Sequence, residues 1–367
     1  MSSRTAQDAK TLARRYYTGQ DVYDAETRNV FFERWIYAGR ASAVSDPGSY
    51  FLCEIESESV IVLKDSDGKL RAHHNVCRHR GTRLLTEPQG QLPKSIQCPY
   101  HAWTYALDGT LIGAPFMDEV ESFCSDDYPL KSVAVAVWEG CVFICLALEP
   151  EPFEQAFATL IGKFGSWTMR ELEIAHSISY DVPANWKLIF QNYSECYHCP
   201  SLHPVLNKLT PFRNSSNNLE EGPFLGGPMR MSIDGGSMTM SGQTCAPSLG
   251  DLSGEALNCV QYYTLYPNML LSLLPDYVLI HRIERLAPDR SRVICDWLFH
   301  PAATAAPDFD PSGAIEFWSM TNEQDWGVSE LSQKGISSQA YTPGPYSELE
   351  SMTAAWDREY LSSIDEL

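Results

Sequence analysis

The sequence predicts an α+β chain of two domains, the first all-β and the second an antiparallel sheet with helices. Three observations predict it. Short β-rich runs broken by turn residues crowd residues 41–150. A meander of strand-like runs fills 259–300. Helical patterns lie before, between and after them.

Residues 1–40 read as helical, with apolar and aromatic positions at Leu12, Tyr16, Tyr17, Phe31, Phe32 and Trp35. From Ser49 the pattern changes to YFLCEI, SVIVLK and LRAHHNV, with Asp65-Ser66-Asp67-Gly68 as a hairpin turn. Further strands are expected near 100–107, 133–138 and 141–146. The stretch EPEPFEQ marks the exit from this domain. Residues 153–172 then read as helix, 176–182 as strand and 185–198 as a strong helix. Residues 204–256, rich in Gly, Ser, Pro and Asn, read as a long loop region. Runs at 259–266, 269–274, 277–286 and 291–300 form the meander, followed by helices at 312–335 and 350–362.

A chain of 367 residues can bury two cores, and 44% hydrophobic with 20% charged residues is ordinary for a soluble globular protein. No run approaches the roughly 18 apolar residues of a membrane span. The start, MSSRTAQDAKTLARRYYTGQ, has no apolar signal-peptide core, so a cytoplasmic protein is expected. A net charge of −20, from 27 basic and 47 acidic residues, argues against nucleic acid and anionic membranes as partners. Eleven cysteines without a signal peptide do not read as a disulfide framework; reduced thiols, some binding metal, are expected.

Two constellations carry chemistry. The first is Cys77-Arg78-His79, an 18-residue gap, then Cys98-Pro99-Tyr100-His101. A structural Cys₂His₂ zinc site is the obvious competitor. Zinc fingers, however, pair Cys with Cys and His with His along the chain, whereas here each knuckle is mixed. In a Rieske [2Fe–2S] centre two cysteines hold one iron and two histidines the other, and mixed knuckles suit loops that each span both irons. Tyr100 and Trp103 are placed to shield and hydrogen-bond such a cluster. His73 and His74 read as ordinary strand residues.

The second constellation is Glu195-Cys196-Tyr197-His198-Cys199-Pro200-Ser201-Leu202-His203. On a helix, Glu195 and His198 share a face. His198 and His203 would diverge on an unbroken helix, but Pro200 interrupts it and lets both imidazoles meet one metal. Two histidines and a carboxylate make the facial triad of oxygen-activating non-haem Fe(II). Asp325 is the candidate carboxylate, on a helical face with Trp318, Thr321 and Val328; its rivals Glu316 and Glu323 fall on a more polar side. Cys196 and Cys199 read as packing residues.

These loops, the Glu195-x-x-His198-x-x-x-x-His203 run and the late Asp325 together resemble the Rieske non-haem iron oxygenase α subunits of the ring-hydroxylating family, over nearly the whole chain. The resemblance implies a helical segment over 1–40 packing on the catalytic domain, and a Rieske domain over 41–150. Residues 151–367 would form a helix-grip (START/Bet v 1-like) catalytic domain. It implies a [2Fe–2S] cluster on Cys77, His79, Cys98 and His101, and a mononuclear Fe(II) on His198, His203 and Asp325. Homotrimers are implied, in which Glu195 bridges the iron to a neighbour's cluster. So are O₂, a small-molecule substrate and a flavin and iron–sulfur reductase using NAD(P)H. Most ring hydroxylases have Asp where this chain has Glu195. That departure, the Glu-Cys-Tyr-His-Cys run and the Gly335-Ile336…Tyr341-Thr342-Pro343-Gly344-Pro345-Tyr346-Ser347 segment resemble the branch acting on quaternary ammonium compounds such as glycine betaine, proline betaine and carnitine. The implied chemistry is hydroxylation of an N-methyl carbon, after which the hemiaminal loses formaldehyde. The alternative is a ring hydroxylase or O-demethylase acting on an aromatic substrate. A trimethylammonium group would call for an aromatic cage, with Phe212, Tyr262, Tyr263 and Tyr266 as candidates.

Overall fold

The computed structural model describes residues 9–364. The described residues divide into two compact units: 9–30 with 158–364, and 31–157. No helix among the described residues is long and apolar enough to cross a membrane.

The first unit begins with two short helices, α1 (Arg15–Thr18) and α2 (Gln20–Glu26). The second unit is almost wholly β. Its strands are β1 (Ile36–Arg40), β2 (Ser49–Ile55), β3 (Glu58–Lys64), β4 (Leu70–His74), β5 (Gln89–Gln91), β6 (Ser95–Gln97), β7 (Thr104–Ala106), β8 (Leu111–Gly113), β9 (Ala134–Trp138) and β10 (Cys141–Cys145), with a final helical turn α3 (Phe153–Ala156). They form three antiparallel sheets, ordered β1-β10-β9, β4-β3-β2-β5 and β6-β7-β8. The helical expectation over 1–40 lies outside the described residues at 1–8, holds at 15–18 and 20–31, and fails at 9–14 and from 32 on, where 36–40 is strand. All of β1 but Gly39 is buried, so no alternation marks it; it needs a partner, and β10 supplies one that local periodicity cannot reveal.

The first unit resumes with β11 (Glu173–Val182), then α4 (Trp186–Tyr193), α5 (Cys199–Leu202), α6 (Pro204–Leu209), β12 (Phe224–Arg230), β13 (Cys259–Leu265), β14 (Met269–Leu273), β15 (Val278–Ala287), β16 (Arg290–Phe299), α7 (Pro301–Thr304), α8 (Ser312–Ile336) and α9 (Ser351–Ile364). Its six strands make one antiparallel sheet, ordered β11-β16-β15-β14-β13-β12. Phe317 and Trp318 of α8 pack into a core with Leu279 of β15 and Cys295, Trp297 and Phe299 of β16.

Three expectations need correction here. The helix over 153–172 shrinks to α3. Phe153, Phe157, Leu160, Phe164 and Trp167 are all buried at helix-like spacing, but Gly162 and Thr168 take left-handed backbone angles that interrupt any helix. The loop region 204–256 contains α6 and the edge strand β12, whose Gly-Gly-Pro sequence reads as loop. The helix expected over 185–198 stops at Tyr193, which shapes the site described below.

What anchors α4 is a buried charge network. Glu26, with no exposure, accepts from Lys187 Nζ at 2.5 Å, Arg285 at 2.9 Å, Trp186 Nε1 at 2.9 Å and Tyr360 at 2.6 Å. Burial opposes its charge, but the two cations outweigh that and hold Glu26 below the usual carboxylate range. Removing one partner of such a set strands the others without compensation. Glu26→Ala should cost about 3–5 kcal/mol, read as a lowered midpoint in denaturant unfolding.

Candidate metal centres and cavity

In the second unit, two loops hold the cysteine–histidine pairs, and both are built alike. Cys77 N donates to Thr82 O (2.8 Å) and Gly81 N to Cys77 O (3.0 Å); Cys98 N donates to Trp103 O (2.8 Å) and Ala102 N to Cys98 O (3.1 Å). Gly81 and Ala102 occupy the same left-handed position in each loop, at φ 74° and 56°. Gly suits that position; Ala102 carries a Cβ there at some strain. Cys77 and Cys98 are buried in the core, while His79 and His101 are exposed with ring centroids 4.8 Å apart. Two buried thiols with two adjacent imidazoles fit the donor set of a Rieske cluster.

Trp103 stacks on His79 at 4.8 Å and 6°. Tyr100 is exposed and leans on His101, with its hydroxyl accepting from Arg80 (3.4 Å). The hydroxyl that reaches a cysteine sulfur belongs instead to Tyr105, 3.4 Å from Cys77 Sγ and accepting from Arg78 N at 3.0 Å. Sequence reading missed Tyr105, which lies beyond the loop and meets the thiol only through the β6–β7 hairpin. His73 and His74 serve the β4 strand: His73 is buried beside Leu107 O, and His74 meets Glu58.

In the first unit, α4 ends because the chain turns on side-chain caps. Ser194 Oγ donates to Phe190 O (2.6 Å), and the Glu195 carboxylate accepts the backbone N–H groups of Tyr197 and His198. Such local side-chain bonds compete with helix continuation. Glu195 and His198 meet through this turn, with Oε1 2.5 Å from Nδ1, and not along a helical face. α5 follows, with His198 before it and His203 after it, and Pro200 and Pro204 opening α5 and α6. The same turn sets the Cα atoms of Cys196 and Cys199 5.0 Å apart, and the two are joined as a disulfide. This corrects their reading as packing residues alone: the Cα separation falls in the range a disulfide spans.

The turn brings His198 and His203 to Asp325 on α8. His203 Nε2 lies 2.8 Å and His198 Nε2 3.5 Å from Asp325 Oδ1. One donor atom from each of the three lies within 4.8 Å of the others, a constellation able to hold a metal ion. Glu316 and Glu323 are exposed. His203 is 2% exposed, and its Nδ1 meets Gln324 Oε1 at 2.7 Å. Both rings thus spend Nδ1 on an acceptor, Glu195 or Gln324, and turn Nε2 to the common point. Gln324 escaped sequence reading because it is an unremarkable helix residue until α8 is placed.

Burial disfavours charge on His198, yet hydrogen bonds to Asp325 and Glu195 prevail and push it up to about 10. Burial raises Asp325, and its hydrogen bonds to His198 and His203 bring it below the usual range.

A cavity opens beside this centre, lined by Glu195, His198, His203 and Asp325 together with Tyr193, Tyr262 and Trp318. Tyr193 and Tyr262 are 6.0 Å apart at 80°, and Tyr262 and Trp318 6.3 Å apart at 73°. Of the four aromatic candidates only Tyr262 lines it. Tyr263 points to the other face of β13, packing on Phe164, as strand alternation requires. Tyr266 packs against Trp186 and Trp356, and Phe212 packs against the core. A second cavity, lined by Tyr17, Gln191, Tyr346 and Ser332, also reaches Glu195 and His198.

Residues 34–124 match the Rieske [2Fe–2S] domain, and residues 169–366 match the catalytic domain of the ring-hydroxylating α subunit. The chain is 31% identical over 381 residues to the glycine betaine monooxygenase oxygenase subunit of Chromohalobacter salexigens, covering 94% of this chain and 83% of that one. It is 37% identical over 200 residues to the carnitine monooxygenase oxygenase subunit of Escherichia coli, covering 54% and 53%. A solved quaternary ammonium Rieske monooxygenase, studied for carnitine oxidation and inter-subunit electron transfer, superposes with a TM-score of 0.83 at 22% identity, covering 99% of this chain and 98% of that one. At that identity the likeness speaks to the fold.

The fold and site define a Rieske-type oxygenase, an oxidoreductase that incorporates oxygen, with a [2Fe–2S] domain and a catalytic domain that binds mononuclear iron. The chain belongs to the ring-hydroxylating α-subunit family.

Two outcomes test the iron site. Gln324→Leu leaves the three ligands but frees His203, and should lower iron affinity about 10–100-fold, read as iron retained against graded chelator. Because His198 stays protonated up to about 10 without metal, iron uptake at neutral pH should expel a proton, and affinity should climb as pH rises toward that value. Calorimetry in buffers of different ionisation enthalpy measures that proton.

Proposed function

We propose that this chain is the oxygenase component of a monooxygenase that N-demethylates a quaternary ammonium compound and releases formaldehyde. The observation that carries the reading is the cavity, where Tyr193, Tyr262 and Trp318 share one space with His198, His203 and Asp325. Successive rings at steep angles offer π-faces to a methylated cation, worth roughly 0.5–2 kcal/mol each when water is excluded. The glycine betaine and carnitine relatives support the same substrate class.

In this reading Cys77, His79, Cys98 and His101 hold the cluster, and His198, His203 and Asp325 hold the iron. Bound iron supplies dioxygen activation, using electrons delivered through the cluster. Asp325 balances part of the metal charge, and Gln324 fixes the ring of His203. The rings place an N-methyl group near the metal and keep water from it. Glu195 holds the Nδ1 proton of His198 and is reached from the second cavity, which suits an electron path from a neighbouring subunit in a homotrimer. The exposed His79 and His101 suit both that neighbour and a flavin and iron–sulfur reductase drawing on NAD(P)H.

A screen with the reductase present should give one formaldehyde per NAD(P)H consumed with a methylated ammonium substrate. Turnover on arenes alone would instead favour the ring-hydroxylase or O-demethylase alternative. His198→Ala and Asp325→Ala should abolish turnover and leave the cluster's visible spectrum unchanged; a variant that still turns over would remove that residue from the iron site.

A further inference from the structure

Glycine betaine and carnitine are zwitterions, each with a carboxylate as well as a trimethylammonium group. A carboxylate taken from water requires a cationic partner or several directed donors. Among the described residues lining the cavity there is no Lys or Arg. Its acids, Glu195 and Asp325, lie 2.5 Å and 3.5 Å from His198 and offer a carboxylate no cation. Arg230 follows the lining residue Met229 in sequence, but it pairs with Glu255 at 2.5 Å and Asp234 at 2.7 Å.

What the wall does offer is neutral. Ser215, Ser216 and Asn217 line the cavity as one arc. The arc is seated on β12: Ser216 N donates to Pro228 O and Asn218 N to Gly226 O, each at 2.9 Å. Two glycines make the seat possible. A Cβ on Gly227 would lie 2.1 Å from Ser216 O, and one on Gly226 2.0 Å from Tyr262 O. Gly227 pairs with Tyr262 across the sheet, so the polar arc and a cage ring share one wall. The hydroxyls of Ser215 and Ser216 are turned to Phe212 O and Pro228 O. Asn217, exposed and lining the cavity, carries an amide that is both donor and acceptor.

We propose that the substrate is a methylated ammonium compound whose far end is an uncharged hydrogen-bonding group, such as an alcohol or amide, and that Asn217 recognises that end. The inference rests on the ammonium reading above.

The test is calorimetric binding to the iron-loaded holoenzyme of matched pairs: choline against glycine betaine, and carnitine amide against carnitine. The neutral member of each pair should bind at least tenfold more tightly, and Asn217→Ala should narrow the gap to within threefold. Equal or tighter binding of the carboxylates would overturn the inference. A tenfold preference that survives Asn217→Ala would remove Asn217 from the recognition. Failure of every ammonium ligand, with binding of an arene, would sink the ammonium reading itself.

Discussion

The site depends on one contact, that between Asp325 of α8 and His203, at 2.8 Å and 122 residues apart in sequence. Everything around it serves to make that meeting repeatable. A flexible pair of side chains would lose rotamer freedom on binding metal, and the entropy cost would appear as weaker affinity. Here the cost is met during folding. His203 is fully enclosed and held by Gln324 at its other nitrogen, and Asp325 projects from a 25-residue helix packed on the sheet.

The same requirement explains why a charge network lies behind α4. The turn carrying His198 hangs from the end of this helix, which spans only eight residues and has little intrinsic stability. Asn185 caps its start by accepting Lys187 N at 3.0 Å. Lys187 and Trp186 are then pinned to Glu26, and Gln191 to Tyr17 and Asp357. Buried ions are a poor source of net stability, but they tolerate few alternative arrangements. At the base of a metal site, restricting alternatives is what matters.

Much of this was legible in the sequence because metal chemistry restricts residue type and spacing severely. Mixed Cys–His knuckles and the histidines around Pro200 stand out without any structure, and the β13–β16 meander follows from strand-like runs at short, regular spacing. What escaped depends on distance in sequence. Gln324, Tyr105 and the Tyr193–Tyr262–Trp318 group gain meaning only when strands and helices are assembled. Ile36–Arg40 became a strand because β10 was available, and 153–172 lost its helix to Gly162 and Thr168 despite a helical spacing of buried rings. The turn at Glu195 is an intermediate case: its acid was noticed for its chemistry, while its role in ending α4 was not.

The two histidines are not equivalent, and their partners say how. Both turn Nε2 to the common point, but His198 gives its Nδ1 proton to a carboxylate and His203 to a neutral amide. A carboxylate draws the shared proton more strongly and leaves the ring more basic, so of the two candidate ligands His198 has the more electron-rich ring. It is also the less buried one, 21% exposed at the side chain against 2%. An enclosed histidine is fixed in position, while the more exposed one is joined to a carboxylate. The asymmetry follows from the backbone: His198 sits in the turn that Glu195 caps, and His203 lies beyond α5, where Gln324 and Asp325 of α8 meet it.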